Sequence, residues 1–422
     1  MGRATDPAYA AFAERLVASG ILHDPWIDGC PRFREEPVVL EPARYLAACR
    51  AAEEVALASH ALTSILMDEP RLLRDALGLT EVQRAMWTAS APAWHGIARA
   101  DVFFTRDRVV VAEINCDTPT GEAEAVVLGE LARGPDGTFD PNRDLRRRFL
   151  AMLDFVAVRE RVSAAGPART VGLVYPTEMT DDLPLVRLYR AWLEARGWAV
   201  VLGSPYNLTF ANNRTRLFGT PIDLLLRHYK TDWWGERESA WLDDPIEDVE
   251  PLEAPLRAAF SGMASGTLAI VNPFGAVVPQ NKRAFAFMWE QKHRFPAAAQ
   301  DAIARYVPVT HRLEGMHVEQ LVAQRTDWVI KSDYGAEGEE VVVGRAVDHA
   351  TWKQALARAR RGRWIAQQYF AAETDADGAA VNYGVFLVAG RAAGLYTRLS
   401  VGPTDARARS APALVREAAE TG

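Results

Sequence analysis

Arg99 and Asp101 stand two residues apart, and Glu113 and Asn115 repeat that spacing beyond a charged turn, Arg106-Asp107-Arg108. In extended chain, residues two apart point to the same face. A hairpin through DVFFTRDRVVVAEIN, Asp101 to Asn115, therefore gathers all four side chains on one side. Two carboxylates and an amide oxygen are the hard-oxygen set that Mg²⁺ takes when phosphate oxygens complete its shell. That chemistry makes Asp101, Glu113 and Asn115 candidate metal ligands, and Arg99 a candidate to neutralise a transferring phosphoryl group. A surface ion pair on a two-stranded ribbon would use the same residues. Glu113 separates the two readings, because it interrupts the apolar run VVVAEI, where an unpaired carboxylate is costly.

Further along, Lys331 ends the apolar run Trp328-Val-Ile and is followed by Tyr334-Gly335-Ala336-Glu337-Gly338. A lysine at a strand end before a glycine-containing loop offers a point charge and free backbone N–H groups to a polyphosphate. A plain hairpin turn between Ile330 and Val341 is the alternative. Pro279-Gln280-Asn281-Lys282 is expected at a strand-to-helix junction, where the helix N-terminus and Lys282 would attract the same anion. In Trp364-Ile-Ala-Gln367-Gln368-Tyr369-Phe370, Gln367 or Gln368 could read an adenine edge, unless the run is simply a core strand. Arg398 lies at the end of a strand in GLYTRLSVG, facing Asn382 and Tyr383. The loop after the hairpin, Cys116 to Glu122, is expected to line a substrate pocket, with Asp117, Thr118 and Thr120 as its polar contacts. Cys116 is a poor nucleophile candidate, since no histidine stands near it in sequence. The histidines form no HxxxH or HExxH pair and the serines no GxSxG elbow, so a zinc enzyme or hydrolytic triad is not indicated.

The elements that must position these residues follow from periodicity. Pro7 to Ser19, Pro42 to Met67 and Glu69 to Leu77 read as helices. After the hairpin, GEAEAVVLGELA returns to helix. Thr170 to Tyr175 and Trp198 to Leu202 read as strands around a helix from Leu183 to Arg196, a βαβ-like layer that Ile222 to Tyr229 could extend. Leu268 to Val271 and Ala276 to Val278 read as strands, with a helix from Asn281 to Trp289. Strands follow at Trp328 to Lys331, Glu340 to Gly344, Trp364 to Phe370, Val381 to Val388 and Ala392 to Leu399, with a helix from Asp348 to Arg360. The expected division is a helical N-terminal segment with the hairpin (1–165), a βαβ lobe (166–265) and a nucleotide-clamp lobe (266–422).

The bulk numbers agree with an enzyme built from several packed lobes. At 422 residues the chain exceeds one simple core. A formal net charge of −7 argues against a broad nucleic-acid surface. The three cysteines show no disulfide or zinc spacing, and no run of about eighteen apolar residues suggests a membrane span. A cytoplasmic protein without nucleic-acid or membrane partners is expected.

Taken in order, ARAD…VVVAEINCDTPTGEAEA, NPFGAVVPQNKRAFAFMWE, WVIKSDYGAEGEEVVVGR, WIAQQYF and NYGVFLVAGRAAGLYTRLS resemble the synthetase domain of the glutathionylspermidine synthase family. The resemblance implies an α/β, circularly permuted ATP-grasp fold with an adjoining pre-ATP-grasp-like lobe at the βαβ segment. It implies ATP and Mg²⁺ as cofactors, with Asp101, Glu113 and Asn115 holding magnesium and Arg99 and Arg398 steadying the transferred phosphate. Lys282, Lys331, Tyr334, Gly335, Gly338, Gln367 and Gln368 would contact the nucleotide, Gly335 to Gly338 as a lid. Where the family places Arg-Glu-Gly in that lid, this chain has Ala336-Glu337-Gly338, without the arginine. The activity implied is an ATP-dependent carbon–nitrogen ligase that joins a small-molecule or peptide carboxylate to an amine, either an amino acid or a polyamine, through an acyl phosphate. The rivals are an inactive nucleotide-binding scaffold and a small-molecule kinase.

Overall fold

In the computed structural model, residues 7–160, 169–236, 252–335, 340–402 and 407–417 are described. The chain opens with helices α1 (Pro7–Ala18), α2 (Pro42–Asp68) and α3 (Glu81–Ser90). Sequence periodicity misses α3, although Thr80 and Gln83 close a capping box at its start. The expected helix from Glu69 to Leu77 shrinks to one turn, Leu72–Asp75. The hairpin forms as β1 (Ile97–Phe104) and β2 (Val109–Asn115), and α4 (Glu122–Leu131) follows.

Next comes the parallel layer. β3 (Thr170–Val174), helix α5 (Leu183–Glu194), β4 (Ala199–Gly203), β5 (Leu224–Arg227) and β6 (Ala269–Val271) build it. Its strand order is β6-β5-β3-β4, with all three pairings parallel. The strands are continuous apolar runs because helices cover both faces of such a layer.

The last third begins with a correction. Ala276 to Val278 is helical, not a strand: a 3₁₀ turn, Phe274–Ala276, runs into α6 (Val277–Gln280). Short apolar runs do not distinguish strand from buried helix. Lys282 thus lies between two helices, at the entry to α7 (Arg283–Glu290). Strands β7 (Thr310–Arg312), β8 (Trp328–Ser332) and β9 (Val341–Val343), helix α8 (His349–Ala359) and strand β10 (Trp364–Gln368) follow. These strands form an antiparallel sheet ordered β7-β10-β8-β9. β8 and β9 are hairpin partners, with Lys331 opposite Val341. β11 (Ala380–Val388), β12 (Arg391–Ser400) and β13 (Arg409–Ala411) then join the first hairpin in an antiparallel sheet ordered β13-β12-β11-β1-β2.

One face of that five-stranded sheet is apolar throughout, and the other is apolar where Ile97, Phe386 and Tyr396 join a second core and polar beside them. Ala98, Ala100, Val102, Val111, Val385 and Leu387 share a core with Ala48, Ala51, Ala52, Val55 and Leu62 of α2. The small residues of α2 let its backbone lie close to the sheet, and burying this face is the main drive for closing the hairpin onto it. By strand alternation the other face receives Arg99, Asp101, Asn382 and Arg398.

A buried ion pair binds the parallel layer to the hairpin's exit. Arg227, at the carboxyl end of β5, is fully buried and donates to Asp117 Oδ1 at 2.5 Å. It also donates to the backbone carbonyls of Asn272 at 3.1 Å and Tyr229 at 2.6 Å. Replacing Arg227 with Met would leave Asp117 buried without its cation. The expected loss is about 3 to 5 kcal/mol, read from urea unfolding. A loss below about 1 kcal/mol, the value of an exposed pair, would contradict this role.

Candidate active site

The register of the hairpin brings the predicted group together. Arg99 pairs with Asn115 and Asp101 with Glu113 across β1 and β2, and the register slips between Asp101 and Val102. Asp101 is buried and receives Arg99 Nε on Oδ1 at 2.7 Å. Its Oδ2 receives Arg99 Nη2 at 3.3 Å, Arg398 Nη2 at 3.1 Å and Asn382 Nδ2 at 3.1 Å. Burial alone would push the carboxyl up, but Arg99 and Arg398 overcome it and hold Asp101 at about 2. Gly384, opposite Asp101 on β11, makes room for this packing, since a Cβ there would meet Arg99 Cδ at 2.7 Å. Arg99 is also tied to the following loop by Nη1 donating to the Thr120 carbonyl at 2.7 Å.

Glu113 is more open, with its side chain 29% exposed and Lys282 Nζ 3.8 Å from Oε2. Burial tends to raise its carboxyl, but Lys282 and Lys331 draw it below the usual range. Lys331 is lowered as well, but by burial, which outweighs the pull of Glu113. Lys282 Nζ also donates to the Gly335 carbonyl at 2.7 Å. Glu113, Lys282, Lys331 and Gln367 line one cleft of about 260 Å³, including the solvent at its mouth. Ala112, Ile114, Pro279, Phe285 and Ile365 supply its apolar walls.

The remaining predicted residues divide between this cleft and other places. Gln367 is buried and lines the cleft, with Nε2 donating to the Ala112 carbonyl at 3.3 Å, whereas Gln368 is exposed, because neighbours on a strand face opposite ways. Tyr334 is in the core, its hydroxyl donating to the Val277 carbonyl at 2.8 Å. Gly335 faces Lys282 through its carbonyl, and Gly338 lies outside the described residues. Asp117 is not a free substrate contact: Arg227, Thr231 Oγ1 at 2.6 Å and the Thr231 amide at 2.5 Å occupy its oxygens. Thr118 lines a second cleft, and Thr120 is exposed, serving Arg99 through its carbonyl. Cys116 is buried and its thiol pushed well up by burial, which leaves no thiolate nucleophile.

Gln280 was visible only as part of a motif assigned to Lys282. Its Oε1 accepts from the amides of Cys116 at 2.9 Å and Asp117 at 3.1 Å, and its Nε2 donates to Asn115 Oδ1 at 3.4 Å. Asn382, the residue that completes the donor shell of Asp101, leaves its own Oδ1 buried without a hydrogen-bond partner.

The oxygen donors fit a cation unevenly. Among the described residues no group of three His, Cys, Asp or Glu side chains surrounds a metal-sized space. Glu113 and the Asn115 amide lie side by side, with Asn115 Nδ2 to Glu113 Oε1 at 3.3 Å. Asp101 has only Oδ1 lightly used. Such a set could hold Mg²⁺ only if the ion drew the rest of its shell from phosphate and water, and Glu113 and Asn115 would then be its main protein donors.

Glu122, at the start of α4, is fully buried beside this group; Tyr189 donates to Oε1 at 3.3 Å and Oε2 has no partner. Burial pushes its carboxyl up to about 7. In the unfolded chain it ionises near pH ~4.3. Below that pH both states hold the proton. Between there and about 7 the unfolded chain sheds a proton that the fold keeps, so stability falls as pH rises. Melting temperature measured from about pH 5 to about pH 8 should therefore fall less in Glu122→Gln than in the parent chain. Parallel pH slopes would contradict the assignment.

Comparison with known proteins gives this geometry a context. The family described as "Glutathionylspermidine synthase preATP-grasp" matches residues 244–416. No curated protein sequence matches the chain. Among solved structures, a glutathione synthetase-like effector from Globodera pallida superposes with a TM-score of 0.61 at 10% identity, over 97% of this chain and 98% of its own. A putative gamma-glutamylcysteine synthetase from Methylobacillus flagellatus gives a TM-score of 0.46 at 13% identity, over 85% of this chain and 84% of its own. A RimK domain ATP-grasp protein from Sphaerobacter thermophilus gives 0.30 at 16% identity, over 60% of this chain and 93% of its own. The chain has an α/β fold of the ATP-grasp type and resembles the glutathionylspermidine synthase family over residues 244–416.

Proposed function

We propose that the chain is an ATP-dependent ligase that activates a carboxylate as an acyl phosphate and passes it to an amine. The supporting observation is the convergence of Glu113, Lys282 and Lys331 in one apolar-walled cleft, directly beside the Arg99–Asp101–Arg398 group. In this reading the adenine lies between Ala112, Ile114, Phe285 and Ile365, with Gln367 at its edge. Lys282 and Lys331 hold the phosphates. Glu113 and Asn115, with Asp101 Oδ1, would hold magnesium, which supplies charge neutralisation at the β- and γ-phosphates when bound.

Positioning and electrostatics do the work expected of a phosphoryl-transfer site. A carboxylate oxygen attacks the γ-phosphorus, the bond to the bridging oxygen breaks, and ADP leaves. Arg398, whose side chain is 22% exposed, faces the transferred group, and Arg99 is held behind it by Asp101 and the Thr120 carbonyl. The amine nitrogen then attacks the acyl carbon, phosphate departs, and the nitrogen loses a proton to solvent. The units 1–165, 166–265 and 266–422 would supply the metal hairpin, the parallel lobe and the nucleotide clamp. No described helix is long and apolar enough to cross a membrane, and the unpaired cysteines Cys30, Cys49 and Cys116 suit a cytoplasmic setting.

Incubation of MgATP with ¹⁸O-labelled amino-acid and short-peptide carboxylates, each paired with amino-acid and polyamine amines, tests the reading. One labelled oxygen should pass from the acid to inorganic phosphate as the amide forms. ADP release with unlabelled phosphate would exclude carboxylate activation, and a stable phosphorylated product would indicate a kinase. In the same protein, Lys331→Ala should weaken MgATP binding about tenfold or more, the loss of one charge-assisted contact. Unchanged affinity would remove Lys331 from the clamp.

A further inference from the structure

A second cleft opens where the parallel layer reverses its strand order. From β3 the chain goes first to β4 on one side and later to β5 on the other, so the carboxyl ends of β3 and β5 flank a switch point. Open α/β layers bind ligands in the crevice outside such a point. A shallow crevice lies there, about 320 Å³ of non-atom space with the open solvent at its mouth counted in, lined by Leu173 of β3 and by Leu226 and Arg227 of β5. Thr118 and Pro119 roof it. That roof is the continuation of β2, only five residues beyond Glu113, so at most about 17 Å of extended chain separates the two clefts.

Resting on the ligase reading above, we propose that this cleft receives one of the two organic substrates, and that it takes an α-amino acid with a compact aliphatic side chain and not a polyamine. The walls are largely apolar, with Ile97, Pro119, Phe149, Leu173, Leu226 and Val271 facing the space. Its charges are already matched. Asp117, the one carboxylate among the described lining residues, is neutralised by Arg227 and hydrogen-bonded by Thr231. His228 lines the cleft with Nε2 on Asp182 Oδ1 at 3.1 Å.

A polyamine would bury two or more ammonium groups where the one lining carboxylate, Asp117, is already paired with Arg227, at a desolvation cost that no lining charge offsets. An aliphatic side chain instead gains by covering apolar wall. The carboxylate and ammonium of an amino acid can remain at the mouth, between Thr118 and His228.

Saturation-transfer NMR on the full chain, with L-valine, L-leucine and spermidine as probes, reads binding without requiring turnover. The two amino acids should give a transfer signal and spermidine none. Thr118→Trp, which fills the roof, should abolish the amino-acid signal while MgATP binding stays at the parent level and reports an intact fold. If that variant does not fold, Thr118→Phe serves the same purpose. A spermidine signal equal to that of leucine, no signal from either amino acid, or a leucine signal that survives the filled roof would overturn the proposal. Failure of ¹⁸O transfer in the preceding experiment would instead remove the ligase reading and leave this binding result to stand or fall separately.

Discussion

The site depends on one buried carboxylate. Asp101 receives two guanidiniums and an amide from three different strands, β1, β11 and β12. Charges withdrawn from water to this degree are stable only while each keeps its partners. Asp101 therefore holds Arg99 and Arg398 in place before any substrate arrives. In the proposed reaction, the reorganisation that water would demand during phosphoryl transfer would be settled when the sheet forms. The apolar face of the same sheet, packed on α2, stabilises the strand pairing that keeps these charges, on the opposite face, in register.

From that centre the constraints pass along the exit of β2. Gln280 accepts from the backbone of Cys116 and Asp117, while Asp117 meets Arg227 and Thr231. Asn272 completes the connection, its Oδ1 accepting from Gly96 at 2.7 Å and its Nδ2 donating to the Asp117 carbonyl at 3.0 Å. Two stretches far from the loop in sequence, one with Arg227 and Thr231 and one with Asn272 and Gln280, thus fix it. That loop lies between the cleft with the lysines and the crevice of the parallel layer, so neither cleft is positioned independently of the other.

The hairpin was legible in the sequence because its signals were local: period-two spacing, a charged turn, and a glutamate in an apolar strand. The parallel layer was legible for the same reason, from short apolar strands bracketing an amphipathic helix. Ala276 to Val278 is helical although it reads as a strand, because three apolar residues carry no period. Gln368 was grouped with Gln367 although adjacent strand residues face apart, and only the register shows which of the two enters the cleft. Asp117 looked like a substrate contact because its partner, Arg227, lies more than a hundred residues away. Asn382 and Gln280 act through such long-range contacts, and a single sequence contains no mark of them.

The proposed ligase activity requires Glu113 to serve the reaction and not merely the fold. Glu113→Gln keeps the shape of the side chain and removes the charge that faces Lys282 and Lys331. The direct measurement is ADP formation as a function of Mg²⁺ concentration, run beside melting curves of both proteins. Turnover per folded molecule is expected to fall by about a hundredfold or more, with stability changed by only about 1 kcal/mol. A protein that melts earlier yet keeps the parent rate and the parent Mg²⁺ dependence would contradict the assignment of this face to phosphoryl transfer.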